Sequence, residues 1–194
     1  KGPGTRLRLM NAAAESFAAN GMGGTFIRDI ANSSNATLAN VNRHFRTEGT
    51  LLGAVVDPKL AVMIRRLSAI ARSRKSATRK LGLLYMEYVH CVLRCEPSLS
   101  AVFSDAIHGG EHLTYDIKTH LLSLRAMAAS IIHEGIEQGA FREVNVEHAV
   151  HMVFGTIVPF LGIHQHMRGR RQMARFTRRE AAAIADSGVA LIMN

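Results

Sequence analysis

Thr25-Phe26-Ile27-Arg28-Asp29-Ile30-Ala31-Asn32-Ser33-Ser34-Asn35-Ala36-Thr37-Leu38-Ala39-Asn40-Val41-Asn42-Arg43-His44-Phe45 is the stretch on which the reading of this chain turns. Apolar residues recur in it at helical spacing, and a polar triplet interrupts them. Thr25 is placed to cap a short helix containing Phe26, Ile27, Ile30 and Ala31. Ser33-Ser34-Asn35 breaks that helix, and Asn35 is the residue expected to take a positive φ, because a short polar side chain tolerates the left-handed region. Thr37 can cap a second helix, Leu38 to Phe45, that buries Val41 and Phe45. Two short helices and a tight turn make a helix-turn-helix pattern. In that pattern the first helix braces the second, and the second offers its N-terminal polar face to a DNA major groove. Ile27, Ile30, Ala31, Ala36, Val41 and Phe45 would lock the pair together, leaving Leu38, Ala39, Asn40, Asn42 and Arg43 outward. That outward face has no carboxylate, and its small residues permit close approach of a phosphate backbone. Periodicity alone leaves an ordinary helical hairpin in a bundle equally open.

Outward from this stretch, helical spacing continues in both directions. A first helix is expected from Thr5, as N-cap, to Asn20, with Leu9, Met10, Ala13 and Phe17 as its apolar stripe and Gly21 as its stop. After the motif a helix begins near Thr50, and Pro58 kinks or restarts it. Lys59 to Lys80 holds eight basic residues and no acid, which reads largely as a solvated face. Further helices are expected at 77–94, 97–108, 111–138, 145–166 and 177–193. Gly139 ends the long one, and Thr177-Arg178-Arg179-Glu180 fits a capping box. The expectation is an all-α chain with a three-helix helix-turn-helix domain over residues 1–50 and a helical bundle over residues 51–194.

Composition narrows the classes. With 47% hydrophobic and 20% charged residues in 194, the chain is globular rather than disordered. The longest nearly apolar run, Met152 to Ile163, is too short to span a bilayer, so no membrane association is expected. Arg6, Arg8 and Glu15 fall where a leader's apolar core would be, and a chain beginning at Lys1 is expected to lack part of its N-terminus. Cys91 and Cys95 lie one helical turn apart and would close only a trivial loop, which fits a reducing cytoplasm. They read as small buried hydrophobes, with a redox or metal sensor as the alternative. A net charge of +9 favours a polyanionic partner, and the absence of Trp argues against stacking on single strands.

Residues 5–52 resemble the N-terminal domain of the TetR family of transcriptional repressors. The likeness is carried by Thr5-Arg6, Ala12-Ala13, Glu15, Phe17, Gly21, Thr25 with Ile27-Arg28-Asp29-Ile30-Ala31, Val41-Asn42, His44-Phe45 and Leu51-Leu52, without a gap. Glu134-Gly135-Ile136-Glu137-Gln138-Gly139-Ala140-Phe141 is a second, weaker match, to the end of the family's long helix. The chain departs from the family at Asn35-Ala36, where Gly-Val is usual, and at Arg43, where Tyr is usual. It departs again at Leu7, where an acid is common, and at Glu48, where a phosphate-binding Lys is common and Arg46 would compensate. The resemblance implies a ligand-responsive regulator, a repressor, that binds a palindromic DNA operator as a homodimer, with no cofactor and no enzymatic activity.

Candidate residues follow. Arg28, Asn40 and Arg43 suit base edges, Leu38 a thymine methyl, and Ala39 close approach; Thr25, Thr37, Asn42, His44 and Arg46 suit phosphates. A mostly apolar small effector would sit among Leu84, Tyr88, Cys91, Phe103, His120, Met127 and Ile131, with Tyr88 and His120 as hydrogen-bonding groups. Phe154, Val158, Leu161, Ile184, Gly188 and Leu191 recur at helical spacing on the last two helices and would form the dimer face. His148, His151, His164 and His166 invite a metal reading, but helical His without a Cys partner at ligand spacing is ordinarily structural, and none is expected. Arg168, Arg170, Arg171, Arg175, Arg178 and Arg179 read as a solvated loop or an anion-binding run. The competing class is a helical small-molecule sensor whose DNA-binding face has degenerated, suggested by Glu48.

Overall fold

The chain begins with α1, Pro3–Asn20, in a computed structural model that describes residues 3–21, 23–91, 97–107, 109–155 and 177–193. Eight further helices follow among the described residues: α2 (Ile27–Ser33), α3 (Leu38–His44), α4 (Glu48–Ala71), α5 (Ala77–His90), α6 (Pro97–Ile107), α7 (Tyr115–Glu137), α8 (Val146–Gly155) and α9 (Arg178–Ala190). No strand occurs among these residues; one isolated antiparallel bridge joins Phe141 and Met193. The fold is all-α, as expected. The chain divides into two compact units, Lys1–Ala61 with Glu96–Thr119, and Val62–Cys95 with His120–Asn194, the divisions falling within α4 and α7.

In the first unit α1 packs against α2 and α6, and α2 against α3. Leu9, Ala13 and Phe17 are buried, whereas Met10 is only half-buried. Full burial of a side chain such as Phe17 is worth about 1.5–3 kcal/mol. Gly21 ends α1 at φ 70°, donating its N–H to the Phe17 carbonyl at 3.0 Å. The helix starts earlier than Thr5, at Pro3, because a proline ring presets φ for a first turn and lacks an N–H that would have no partner there.

α4 starts at Glu48 rather than Thr50. Thr47 and Thr50 cap it reciprocally: each backbone N–H donates to the other's hydroxyl, both at 3.1 Å. Glu48 in the first turn complements the helix dipole. Pro58 neither ends nor restarts α4, which runs through it; the ring lies at the surface, where water can reach the carbonyl that loses its partner. α7 starts at Tyr115 rather than Glu111. The preceding loop is pinned to α6 instead: Gly110 takes φ 68°, and Asp105 accepts from the His112 backbone N–H at 3.3 Å and pairs with its Nδ1 at 2.7 Å.

The second unit packs α9 against α5. Its interior holds Leu81, Leu84, Tyr85 and Tyr88 of α5, Leu124, Ala128, Ile131 and Ile132 of α7, Val150, Val153 and Phe154 of α8, and Ala185 and Val189 of α9. Gly139 ends α7 as expected, at φ 67°, with Ala140 N–H donating to Gly135 O at 2.9 Å. The expected capping box at Thr177 and Glu180 is present. Lys80 departs from the solvated reading of the basic run: it is 7% exposed and donates to both carboxylate oxygens of Glu134, at 2.9 and 2.8 Å. An ammonium group leaves water only when it is paired in this way.

Candidate functional site

The two helices of the motif meet through a hydrogen-bonded stop. Asn35 takes φ 52°, Asn35 N–H donates to Asn32 O at 3.2 Å, and Ala36 N–H to Ala31 O at 2.9 Å. This pair of bonds closes a helix through one left-handed residue. Thr37 follows in extended conformation and caps α3, its hydroxyl accepting from Asn40 N–H at 3.2 Å. Val41 and Phe45 are buried, and the Arg6 guanidinium lies 5.4 Å from the centre of the Phe45 ring, a cation–π contact that ties α1 to the end of α3.

The outward face of α3 is polar and cationic, and free of acids. Thr37, Leu38, Ala39, Asn42 and Arg43 are exposed, as are Arg28 on α2 and Arg46 after α3; Asn40 is half-buried. Two expected contacts are corrected. Thr25 is 3% exposed, and its hydroxyl donates to Gly21 O at 2.7 Å and accepts from Ser16 at 3.3 Å. It therefore closes the loop after α1 rather than capping α2, whose N-cap is Phe26 without a side-chain bond, and its hydroxyl is not turned toward a phosphate. His44 is half-buried, its Nε2 is enclosed without a hydrogen-bond partner, and that nitrogen faces the interior.

An open cavity of about 620 Å³ flanks the motif, lined by Ile27, the 47–50 segment and the 111–114 loop. Glu48 and Glu111 both border it.

Of the expected effector residues, Leu84, Tyr88, Cys91 and Ile131 are buried in the second unit, and His120 and Met127 are half-buried there. Phe103, also buried, belongs to the first unit. The Tyr88 hydroxyl donates to Phe154 O at 3.3 Å, and the Phe154 ring meets the Tyr88 and Tyr85 rings edge-on at 5.1 and 5.4 Å. Burial, and then the neighbouring Tyr85, push the Tyr88 phenol well above its ordinary pKa, so it is a neutral donor. A second cavity, of about 520 Å³, lies between α5 and α9 and is lined by other residues, among them Arg79, Leu83, Met86, Asp186 and Val189.

The dimer face changes too. Phe154 is spent inside its own unit against the two tyrosines. Gly188 serves the α5–α9 contact, since a Cβ there would come within 2.5 Å of Tyr85 Cε1. Ile184 is half-buried and Leu191 is 54% exposed, so both stay available; Val158 and Leu161, like Cys95 and Arg168 to Arg175, lie outside the described residues. Among the described residues no group of His, Cys, Asp and Glu could hold a metal ion, and no helix is long and apolar enough to cross a membrane.

No protein-family model matches the chain. It is 25% identical over 138 residues to the HTH-type transcriptional repressor KstR2 of Mycolicibacterium smegmatis, a match covering 71% of this chain and 67% of that protein. Among solved structures, the transcriptional regulator FadR of Bacillus subtilis, in complex with stearoyl-CoA, superposes with a TM-score of 0.72 at 20% identity, covering 97% of both chains. The ketosteroid transcriptional regulator KstR2 of Mycobacterium tuberculosis gives 0.69 at 18% identity, covering 100% of this chain and 97% of that one. The chain therefore has the fold of a helix-turn-helix transcriptional regulator. Within that class the fold is shared with a putative TetR-family transcriptional regulator of Mesorhizobium loti, which superposes with a TM-score of 0.61 at 18% identity, covering 96% of this chain and 94% of that one; it is the TetR fold, as the likeness over residues 5–52 implied.

Thr25→Val tests the corrected assignment. Removing a buried hydroxyl that satisfies Gly21 O should lower stability by about 1–2 kcal/mol in urea unfolding. Affinity for duplex DNA should be unchanged in the folded variant; an equal loss of affinity on every duplex would return Thr25 to the phosphates.

Proposed function

We propose that this chain is a ligand-responsive transcriptional regulator, a repressor, that binds duplex operator DNA through α3. The observation that carries the reading is the exposed, acid-free face of Leu38, Ala39, Asn42 and Arg43, held by the Thr37 cap and the Asn35 turn. Arg28, Asn40 and Arg43 read base edges, while Thr37, Asn42 and Arg46 hold the backbone. Residues 1–50 do the reading, and residues 51–194 bind effector and dimerise. The protein acts in the cytoplasm without catalysing a reaction. Glu48, which favours a degenerate face, is accounted for by its place in the first turn of α4.

Selection of duplexes from a random pool by the purified protein supplies the test site. Asn40→Ala should cost about 1–3 kcal/mol on the selected duplex and little on random DNA. Arg46→Ala should weaken both alike and reduce the salt slope by about one ion. Equal loss on both duplexes for Asn40→Ala would remove Asn40 from the base readers.

Two copies pair through α8 and α9, centred on Ile184 and Leu191, in a two-fold four-helix arrangement. The two reading helices then meet half-sites about one helical turn apart, roughly 34–36 Å. Light scattering at micromolar concentration should give a dimer mass, and Ile184→Asp should reduce it to the monomer; an unchanged mass would place the interface elsewhere.

The effector is a mostly apolar molecule, taken up in the interior around Leu84, Tyr88 and Ile131, with Tyr88 as its hydrogen-bonding group. FadR of Bacillus subtilis holds stearoyl-CoA and KstR2 is a ketosteroid regulator, so long acyl chains and steroid-like rings are the classes to try. Binding shifts α4 and moves the two reading helices out of register. Titrating stearoyl-CoA, or a 3-ketosteroid, into the protein–DNA complex should lower operator affinity at least fivefold, a coupling of about 1–3 kcal/mol. A compound that raises the melting temperature yet leaves operator affinity unchanged at saturation would break the coupling.

A further inference from the structure

The helical pattern places Phe26 with the apolar residues of α2, yet its side chain is 61% exposed. The cause is local. Residue 26 is extended, at φ −108° and ψ 139°, and successive side chains on an extended backbone point to opposite sides. Thr25 takes the inward place at 3% exposure, so Phe26 is turned out. Its backbone is fixed, with the Phe26 carbonyl accepting from Asp29 N–H at 3.0 Å and from Ile30 N–H at 3.2 Å. The ring is thus held outward at the start of α2, as Leu38, 45% exposed, is at the start of α3.

Phe26 and Leu38 thus place exposed apolar side chains at the two helix starts of the motif, among exposed arginines. The charged residues exposed on α2, on α3 and just beyond are Arg28, Asp29, Arg43 and Arg46, three cations to one acid, so the partner that fits is a polyanion with apolar groups of its own. Duplex DNA carries such groups in its major groove as the C5-methyls of thymine, which Phe and other apolar side chains contact. We propose that Phe26 is a specificity-determining residue that reads a thymine methyl, at a base separate from the one met by Leu38. The inference rests on the DNA-binding reading above and adds a residue and a base to it.

The experiment uses a duplex enriched from a random pool by the full-length protein, with each thymine replaced in turn by deoxyuridine. That exchange removes one methyl and keeps every hydrogen-bonding group. The wild type should lose about fourfold in affinity at each methyl it reads, the worth of one buried methyl. In Phe26→Ala that loss should vanish at one thymine and persist at the thymine read by Leu38; Leu38→Ala should show the reverse. Phe26→Leu should keep most of the discrimination, and thermal unfolding of all three variants near the wild-type midpoint establishes that they are folded. If no duplex is enriched, the DNA-binding reading itself falls. If a duplex is enriched but Phe26→Ala keeps every thymine-to-uracil ratio, this proposal alone falls. It falls equally if Phe26→Ala weakens thymine and uracil duplexes alike, which would put the ring against the sugar–phosphate backbone.

Discussion

One left-handed residue sets the geometry on which the reading surface depends. Asn35, at φ 52°, ends α2 within a single residue and lets Ala36 N–H return to Ala31 O. Without that reversal the polar run after Ser33 would extend α2, and α3 would have no separate direction. Ala36 then leads straight into the Thr37 cap, so turn and cap are consecutive, and neither can shift by a residue without moving the other. Asparagine pays a steric cost in this region that glycine does not, but less than other residues, because its short polar side chain can bond locally. The buried Val41 and Phe45, with Arg6 stacked on Phe45, hold the far end of α3 to the rest of the unit.

Hydroxyls in this unit serve the chain's own ends. Thr25 satisfies Gly21 O, Thr37 caps α3, and Thr47 and Thr50 cap α4 reciprocally. Each such bond contributes about 0.5–1.5 kcal/mol net and fixes where a helix begins or a loop closes. On the DNA-binding reading proposed above, contact with a polyanion then falls mostly to arginines and amides, whose longer side chains reach beyond the caps, with Thr37, whose hydroxyl accepts from Asn40 N–H, keeping its own hydrogen to donate to a phosphate. This division explains why Glu48 sits beside a surface read as DNA-binding: a carboxylate in a first helical turn is favourable for the helix whatever it faces.

Legibility in the sequence followed the range of the interaction. Gly21, Asn35, Gly139 and the Thr177–Glu180 box were readable because a stop or a cap is decided within about five residues. Thr5, Thr25 and the start of α4 were misplaced by one to a few residues: Pro3 opens α1 ahead of Thr5, Gly21 O draws the Thr25 hydroxyl away from α2, and Thr47 and Thr50 share the start of α4. Lys80, Phe154 and Gly188 were misread for a different reason. Their partners, Glu134, Tyr88 and Tyr85, lie 54, 66 and about 100 residues away, a distance at which periodicity says nothing. Leu38, Ala39, Asn42 and Arg43 on the outward face of α3 were legible, while Asn40 is half-buried; Phe26 was not legible, because a helical pattern assigns it inward and the extended backbone turns it out.

The interior of the second unit combines two requirements that pull against each other. A closed apolar core stabilises the unit, and an effector site needs that core to open. The polar groups inside it are satisfied as it stands: Lys80 by Glu134, and the Tyr88 hydroxyl by Phe154 O. These two bonds differ in what breaking them costs. Parting Lys80 from Glu134 would leave an ammonium group that is 7% exposed without its counter-charge, a loss of about 3–5 kcal/mol, so the α5–α7 contact at that point resists opening. The Tyr88 bond is neutral and, at 3.3 Å, long; its loss costs about 1 kcal/mol, and an acceptor on a ligand restores it. Opening is therefore cheaper at Tyr88 and Phe154 than at Lys80. A ligand entering there must also separate the three aromatic rings, and its apparent affinity is reduced by the fraction of molecules already open. On the effector reading proposed above, only a ligand with enough apolar surface offsets these costs, which favours long or polycyclic effectors over small ones.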